Sequence, residues 1–307
     1  MTAMIQACEL TKSFGTIVAV DHVDIEVDRN EIFGLVGPDG AGKTTLLRMI
    51  CGLIEPDRGK VVLFGEENLG NGNRSRLGYM PQRFSLYGDL TVMENINFFG
   101  SLYGLKKTTI RQRAEEILSI TNMLEFGNRL AANLSGGMKQ KLALTCVLIT
   151  GPEILILDEP TYGVDPESRK EFWKILYRLN QEGVTLMVST PYMDEAELCH
   201  RVAIISQGRV VAVSSPMQLK RSLPHRLLEV MADTRDPRVF DGLSHIDGCS
   251  FYGDRYHIAV QDPEAAIPEI NDFLAERGVR VYSIREVAPS MEDVFVALTA
   301  TDYGVGA

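Results

Sequence analysis

Apolar residues recur along the chain in short runs that fall into two kinds. Compact runs bounded by glycine, proline or acidic residues predict β-strands, and apolar positions repeated every three or four residues predict α-helices. The strands predicted up to about residue 223 cover residues 5–10, 23–27, 32–36, 60–64, 77–80, 154–158, 184–189, 202–206 and 209–213. The helices predicted in the same part cover residues 46–50, 91–103, 109–120, 138–149, 167–180 and 216–223. This alternation predicts an α/β fold with buried parallel strands.

Two parts of the chain depart from this alternation. From about residue 88 to 150 the pattern is helical, and Thr91 with Glu94 forms a capping box at the first helix. Beyond Pro224, strands are predicted at residues 227–231, 256–260 and 279–285, and helices at 263–277 and 290–298. We therefore expect three segments: a domain over 1–222 with a helical subdomain at about 88–150, a small α+β domain over 223–300, and a flexible tail over 301–307.

Composition argues against several functional classes. Of the 307 residues 45% are hydrophobic and 23% are charged, and no stretch approaches the roughly 18 apolar residues that a membrane-spanning helix needs. The N-terminus lacks the basic region and apolar block of a secretory signal, so we expect the chain to stay where it is made. A net charge of -10 argues against binding to a nucleic acid backbone, and five scattered cysteines indicate neither a zinc site nor a disulfide framework.

A glycine-rich loop stands between the strand predicted at 32–36 and the helix predicted at 46–50. It consists of Gly37, Pro38, Asp39, Gly40, Ala41, Gly42, Lys43, Thr44 and Thr45. In this spacing, glycines let backbone N–H groups curl around a polyphosphate, Lys43 neutralises the β- and γ-phosphates, and Thr44 offers a hydroxyl to Mg²⁺. The alternative is a glycine-rich turn that merely contains a lysine. The strand before the loop and the helix after it favour a nucleotide-binding site.

An acidic pair, Asp158 and Glu159, closes a fully apolar strand. A buried parallel strand delivers such side chains to its carboxyl-terminal edge, where α/β proteins bind ligands. A solvated strand end is the alternative. Four apolar residues before the pair, together with the phosphate loop elsewhere in the chain, favour a catalytic site.

Further motifs occur in a fixed order around these two. They are Tyr79-Met80-Pro81-Gln82, Leu134-Ser135-Gly136-Gly137-Met138-Lys139-Gln140, the strand from Ile154 to Pro160, and Gly163-Val164-Asp165. With them, about residues 3 to 215 resemble the ATP-binding cassette (ABC) ATPases, where these motifs are the Q-loop, the signature, the Walker B strand and the D-loop. The resemblance implies a P-loop NTPase (RecA-like) core with an antiparallel β subdomain and an inserted α-helical subdomain, plus a small α+β module at the C-terminus.

The resemblance also implies roles in binding and hydrolysing ATP with Mg²⁺. Asp158 would hold Mg²⁺ through a water, Thr44 would be a direct ligand, and Gln82 would reach the metal and the attacking water. Glu159 is the candidate general base. Phe14 could stack on the adenine ring, which the resemblance favours, or could be a hydrophobic plug between strands.

The signature residues Ser135, Gly136 and Gly137 have no obvious task within one chain. Small residues at a helix N-terminus form an anion site. The resemblance implies that this site closes on the γ-phosphate of ATP bound to a second ABC ATPase subunit, in a homodimer or a heterodimer. A capped surface helix is the alternative, and it would leave the two glycines unexplained.

Two segments resemble the exporter branch of the family, which serves drug, lipid or polysaccharide efflux. They are the segment from Leu86 to Asn95 and the segment from Pro289 to Phe295. The implied partners are transmembrane permease subunits, which place the chain on the cytoplasmic face of the inner membrane. A soluble ABC ATPase that acts on ribosomes or DNA, and an ATP-gated module with negligible turnover, are the alternatives. The C-terminal domain would extend the dimer interface, regulate the motor, or act as a passive cap.

One position departs from the family pattern. The segment Val188 to Glu197 is similar to the H-loop, but Pro191 stands where the family has histidine. Proline has neither an imidazole nor an N–H, so it cannot bond the γ-phosphate or steady the attacking water. We expect ATP binding with reduced hydrolysis, and a pairing with a more competent subunit.

Overall fold

The computed structural model describes residues 3–67, 74–236, 238–243 and 246–299. The predicted loop over residues 68–73 and the predicted tail over 301–307 lie outside the described residues. The chain divides into two compact units, Met1–Pro216 and Met217–Ala307. The first unit therefore ends before the expected boundary at 222. The reason is that the helix beginning at Pro216 groups, from Met217 onward, with the second unit.

The strands of the first unit form two sheets. In chain order they are β1 (Ala3–Phe14), β2 (Ile17–Asp28), β3 (Ile32–Val36), β4 (Arg58–Leu63), β5 (Leu77–Met80), β6 (Ile154–Asp158), β7 (Thr185–Thr190), β8 (Arg201–Ser206) and β9 (Arg209–Ser214). The larger sheet has the order β5-β6-β7-β3-β8-β9, parallel except for the β8–β9 pair. The smaller sheet, β2-β1-β4, is antiparallel. Strand β7 therefore lies between β3, which precedes the phosphate loop, and β6, which ends at Asp158.

The helices of the first unit are α1 (Lys43–Ile50), α2 (Val92–Leu102), α3 (Lys107–Ile120), α4 (Gly136–Leu148), α5 (Pro166–Gln181) and α6 (Met193–Ala196). Helices α2, α3 and α4 share a hydrophobic core that includes Ile96, Ile110 and Leu142, which is the expected helical subdomain. Its first helix has the predicted capping box of Thr91 and Glu94. Helix α4 begins at Gly136, two residues earlier than its apolar pattern, because the Ser135 side chain caps it.

The antiparallel sheet differs from the prediction. The first two strands were predicted to end at residue 10 and to begin at residue 23, but β1 continues to Phe14 and β2 begins at Ile17, so Phe14 pairs with Ile17 beside a tight turn. Lys12 and Ser13 interrupt the apolar pattern of β1, and Ile17 and Val18 at the start of β2 are exposed. Backbone pairing therefore continues over a stretch that has no buried apolar face. Phe14 is therefore the last residue of a strand.

The second unit is a small α+β domain. Its elements are α7 (Pro216–Arg221), β10 (Arg226–Ala232), β11 (Gly248–Phe251), β12 (Tyr256–Val260), α8 (Pro263–Glu276), β13 (Val281–Val287) and α9 (Met291–Thr299). The antiparallel sheet has the order β11-β12-β10-β13, and its core with α8 includes Val230, Ile258 and Ile270. Strand β11 was not predicted. Throughout the described ranges, no helix combines the length and apolar character needed to cross a membrane.

Candidate functional site

The phosphate loop connects β3 to α1 and is shaped by two close approaches of the backbone. A Cβ atom on Gly42, whose φ is 102°, would lie 2.2 Å from the carbonyl oxygen of Ala19. A Cβ atom on Gly37 would lie 2.3 Å from the carbonyl oxygen of Ile205. Only glycine fits at either position, and the first contact sets β2 directly against the loop. Asp39 and Gly40, at the tip of the loop, are exposed.

Lys43 is the first residue of α1, and its side chain folds back into the loop. Only 4% of it is exposed. Its Nζ donates to the carbonyl oxygens of Gly37 at 2.8 Å and Pro38 at 3.0 Å, and it lies 3.1 Å from Oε1 of Glu159. The structure therefore brings together the two predicted residues of opposite charge.

The Asp158 carboxylate is fully buried at the end of β6 and accepts three hydroxyl groups. Thr44 Oγ1 at 3.1 Å and Ser189 Oγ at 2.8 Å donate to Oδ1, and the Tyr79 hydroxyl donates to Oδ2 at 3.4 Å. Burial, and then the Asp158 charge, raise the pKa of Tyr79 to about 12. Hydroxyl groups from α1, β5 and β7 thus converge on the one carboxylate at the end of β6.

Glu159 follows Asp158 in a left-handed conformation, with φ at 47°. Its side chain is 5% exposed, and Oε2 accepts a hydrogen bond from Nε2 of Gln82 at 2.7 Å. Its backbone N–H donates to Ser189, at 3.0 Å to the hydroxyl and 3.2 Å to the carbonyl oxygen. A non-glycine residue with positive φ is strained, so these contacts hold Glu159 in place. In the structure Gln82 contacts Glu159, whereas the family resemblance implied that Gln82 reaches the metal and the attacking water.

Phe14 lies at the tip of the β1–β2 hairpin with 50% of its surface exposed. Lys12 Nζ is 5.8 Å from the centre of its ring. Ala19, further along β2 of the same hairpin, approaches Gly42 of the phosphate loop. A plug between strands would be buried, and Phe14 is not.

The signature residues are at the start of α4. Ser135 Oγ accepts the Met138 N–H at 3.3 Å, and Ser135 and Gly136 are exposed. A Cβ on Gly136 would meet nothing within 4 Å, but one on Gly137 would lie 2.7 Å from Ser168 on α5. Of the three residues for which the sequence showed no obvious task within one chain, Gly137 therefore has one, because it allows α4 to pack on α5.

Pro191 directly follows β7 and is half-buried. The neighbouring residues carry contacts that sequence reasoning missed, because their spacing along the chain does not show that β7 lies next to β6. Ser189 bridges Asp158 and Glu159, and Thr190 bonds Glu195 of α6 at 2.7 Å. Polar residues at the carboxyl end of a buried strand were the available signal.

The sequence matches two family descriptions in succession. Residues 20–162 match the description ABC transporter. Residues 215–299 match the description ATP-binding protein DrrA1-3-like, C-terminal domain.

Several curated relatives cover most or part of the chain. The Nod factor export ATP-binding protein I of Cupriavidus metallidurans is 35% identical over 98% of this chain and 99% of that protein. The daunorubicin resistance ATP-binding protein DrrA2 of Streptomyces coeruleorubidus is 34% identical over 96% of this chain and 94% of that protein. The probable multidrug ABC transporter ATP-binding protein YbhF of Escherichia coli K12 is 44% identical over 71% of this chain, but the match spans only 38% of YbhF.

Solved structures match about seven tenths of the chain. MJ0796, a bacterial ABC transporter cassette solved as a dimer, matches with a TM-score of 0.63 and 27% identity over 69% of this chain and 98% of that one. A post-hydrolysis structure of the same cassette bound to ADP and Pi matches with a TM-score of 0.62 and 27% identity, with the same coverage. These matches confirm the predicted P-loop NTPase fold. The chain belongs to the family of ABC transporter ATP-binding proteins.

Proposed function

We propose that the chain binds and hydrolyses ATP as the motor subunit of an ABC exporter. The observation that carries this proposal is the convergence of Lys43, Thr44, Asp158 and Glu159, from two separated strand ends, within 3.1 Å contacts. Positioning and electrostatic stabilisation supply most of the catalysis in phosphoryl transfer, and this convergence provides both. Relatives named for multidrug transport, Nod factor export and daunorubicin resistance support the exporter role.

The phosphate loop and the hairpin tip would share the nucleotide between them. Backbone N–H groups over residues 39–45 and the Lys43 ammonium would hold the phosphates at the start of α1. Phe14 would stack on the adenine, since its ring is exposed on the hairpin that approaches the loop. The bound phosphates would compete with Glu159 for Lys43, which would free the Glu159 carboxylate.

The donor atoms beside the loop fit Mg²⁺. Thr44 Oγ1 and the Asp158 carboxylate are hard oxygen ligands 3.1 Å apart. When bound, Mg²⁺ would neutralise charge on the β- and γ-phosphates. Glu159 would accept a proton from the attacking water, and Gln82 would orient that water from its position on Glu159.

Proline at position 191 would slow ATP hydrolysis, because it cannot make the hydrogen bond to the γ-phosphate that a histidine would make. Losing a hydrogen bond to a charged group costs about 1.5 to 3 kcal/mol, which is roughly ten- to a hundredfold in rate. Pro191→His should therefore raise the turnover of the purified complex by about that factor, while Pro191→Ala, which adds no imidazole, should not. Equal rates for all three proteins would refute the proposed slowing.

A second subunit would complete the ATP site. Ser135 and Gly136 begin α4 with exposed backbone and no atom near the missing Cβ of Gly136. This leaves room for a γ-phosphate carried by another chain at the helix N-terminus. The dimeric cassette structure supports such a pairing. Closure of the pair would drive transmembrane permease subunits at the cytoplasmic face of the membrane.

Isolation of the tagged full chain from detergent-solubilised membranes tests the exporter role. We expect a polytopic membrane protein and ATPase activity in the same fraction, and a second ATP-binding subunit if the pair is a heterodimer. Recovery of the chain with ribosomes, and without membrane proteins, would refute the proposal.

A further inference from the structure

Glu195 on α6 is a buried carboxylate to which the sequence gave no role. It connects the loop after β6 with the end of β7. Its side chain is 2% exposed. Oε1 accepts a hydrogen bond from the Thr161 hydroxyl at 2.7 Å, and Oε2 accepts one from the Thr190 hydroxyl at 2.7 Å. Thr161 comes two residues after Glu159, and Thr190 immediately precedes Pro191. One side chain therefore fixes two loops that are distant in sequence.

The charge of Glu195 has a partner on α5. Nη1 of Arg169 lies 3.8 Å from Oε1 of Glu195, and Nη2 lies 3.7 Å from Asp194. The same guanidinium lies 4.5 Å from the centre of the Tyr192 ring. A buried carboxylate is costly without hydrogen bonds and a counter-charge, and Glu195 has both.

The Thr190 hydroxyl makes two hydrogen bonds, one as donor and one as acceptor. It donates to Glu195 and accepts the Tyr192 N–H at 3.1 Å, which closes the backbone around Pro191. Because proline has no N–H and no polar side chain, Pro191 contributes no N–H or side-chain hydrogen bond to this turn. The turn is fixed by the residues on either side of it and by Glu195.

The loop after β6 needs such support because of Glu159. Its left-handed φ of 47° is strained and persists only where surrounding contacts determine it. Ser189 holds the backbone N–H of Glu159, on the side toward β7. Glu195 holds Thr161, which is the next polar anchor along the loop.

We propose that Glu195 is a positioning residue for Glu159. It acts through Thr161 and Thr190, keeping the Glu159 loop against the end of β7, and it does not touch the nucleotide. The inference rests on the proposed ATP hydrolysis.

The test measures steady-state ATP hydrolysis by the purified complex that contains the full chain. Glu195→Ala should lower kcat by about ten- to a hundredfold, because small misplacements of a catalytic group have effects of that size. The KM for ATP should change less than about threefold, since no nucleotide contact is lost. The kcat of Glu195→Gln should lie between the values for the wild type and for Glu195→Ala. An amide keeps an acceptor for one hydroxyl but loses the charge that faces Arg169.

Two sets of variants separate positioning from general structural damage. Asp194→Ala removes the exposed neighbouring carboxylate that also lies near Arg169, and it should leave kcat within about twofold. Thr161→Val and Thr190→Val should each lower kcat in the wild-type chain. Both should have little further effect in the Glu195→Ala chain, because residues that act through one network are not additive.

Trp173 provides a check on folding. It is the single tryptophan of the chain, it is buried, and it lies one turn after Arg169 on α5. Its fluorescence maximum should be the same in the wild type and in Glu195→Gln. If Glu195→Ala shifts that maximum, the comparison uses Glu195→Gln and the two threonine variants.

The outcomes distinguish the inference from the proposed function. Hydrolysis that depends on Glu159 but is unchanged by Glu195→Ala would overturn the inference alone. An equal effect of Asp194→Ala, or a rise in KM with kcat unchanged, would also overturn it. If the wild-type complex shows no hydrolysis that depends on Glu159, the proposed function fails and the inference fails with it.

Discussion

The acidic edge of the large sheet and the start of α4 carry the two halves of the proposed ATP site, and they are built in opposite ways. At the acidic edge, Lys43, Asp158 and Glu159 are buried and bond each other or nearby hydroxyl groups. At the start of α4, Ser135 and Gly136 are exposed, and no atom lies within 4 Å of the place where a Cβ of residue 136 would stand. The first half is satisfied inside the chain, and the second half is open to another molecule.

This difference separates function from stability. In a buried network every member supports its neighbours, so a substitution at the acidic edge is expected to change folding and catalysis together unless it keeps the shape. At the exposed helix start, a substitution is expected to change contacts with a partner while leaving the fold intact. The three predictions below test this separation.

The largest effect is expected from Glu159→Gln at the acidic edge. The amide keeps the size of the side chain but cannot accept a proton from water, so kcat should fall by about a hundred- to a thousandfold. ATP affinity, measured by equilibrium titration, should stay the same or rise, because no phosphate contact is lost and Lys43 no longer pairs with a carboxylate. Steady-state phosphate release measures the first quantity.

Glu182→Gln is the matched control for that substitution. Glu182 follows α5, where its carboxylate pairs on the surface with Arg178. Its replacement should leave both quantities unchanged. Full hydrolysis in Glu159→Gln would exclude Glu159 as the base.

An intermediate effect is expected from the same substitution at two adjacent glycines. Gly137→Ala puts a methyl group 2.7 Å from Ser168 and should cost about 1 to 3 kcal/mol of unfolding free energy. Gly136→Ala meets no neighbour within 4 Å and should leave stability unchanged, or raise it by about 0.5 kcal/mol through helix propensity. Urea denaturation at neutral pH measures both.

Function should follow the reverse order at these glycines. Gly136→Ala narrows the open anion site, so we expect it to weaken ATP-dependent pairing of the subunits more than Gly137→Ala does in protein that remains folded. Size-exclusion chromatography with ATP measures this pairing, and each glycine variant is made in the Glu159→Gln chain so that ATP is not hydrolysed. Equal destabilisation by both alanines would remove the distinction between the two glycines.

The sequence predicted the elements of both regions because their signals are local. Apolar runs, capping residues and the glycine loop depend on neighbours within a few positions. The strands from β3 to β9 and the helices from α2 to α5 accordingly lie within a few residues of their predicted bounds. The extension of β1 was missed because Lys12 and Ser13 interrupt its apolar pattern, whereas the extension of β2 was missed although Ile17 to Val20 are all apolar.

Contacts between distant segments were beyond the sequence pattern. The position of β7 between β3 and β6 brings Ser189 to Asp158, and nothing in the spacing of these residues states that order. The approach of Gly137 to Ser168 depends in the same way on how α4 and α5 pack. Resemblance to a family supplied the motif roles. It placed Glu195 within the segment that is similar to the H-loop, but it gave Glu195 no role.

The smallest effect is expected from Tyr79→Phe, which tests how closed the acidic edge is. The pKa of Tyr79 is raised to about 12 in the folded chain, against about 10 when unfolded. A raised pKa contributes stability that is fully present below pH 10 and is lost as the pH rises through 12. Since the ring is only half-buried, we expect the wild type to lose about 1 kcal/mol more than Tyr79→Phe between pH 9 and pH 11.

Urea denaturation at both pH values gives this difference, and the ionisation of other groups cancels because both chains share them. Tyr103→Phe, at an exposed tyrosine after α2, is the control and should lose as much as the wild type. If Tyr79→Phe and the wild type lose the same stability, water reaches the Tyr79 hydroxyl freely. The Asp158 carboxylate would then be solvated on that side, and the contrast with the open start of α4 would be weaker than the hydrogen-bond geometry implies.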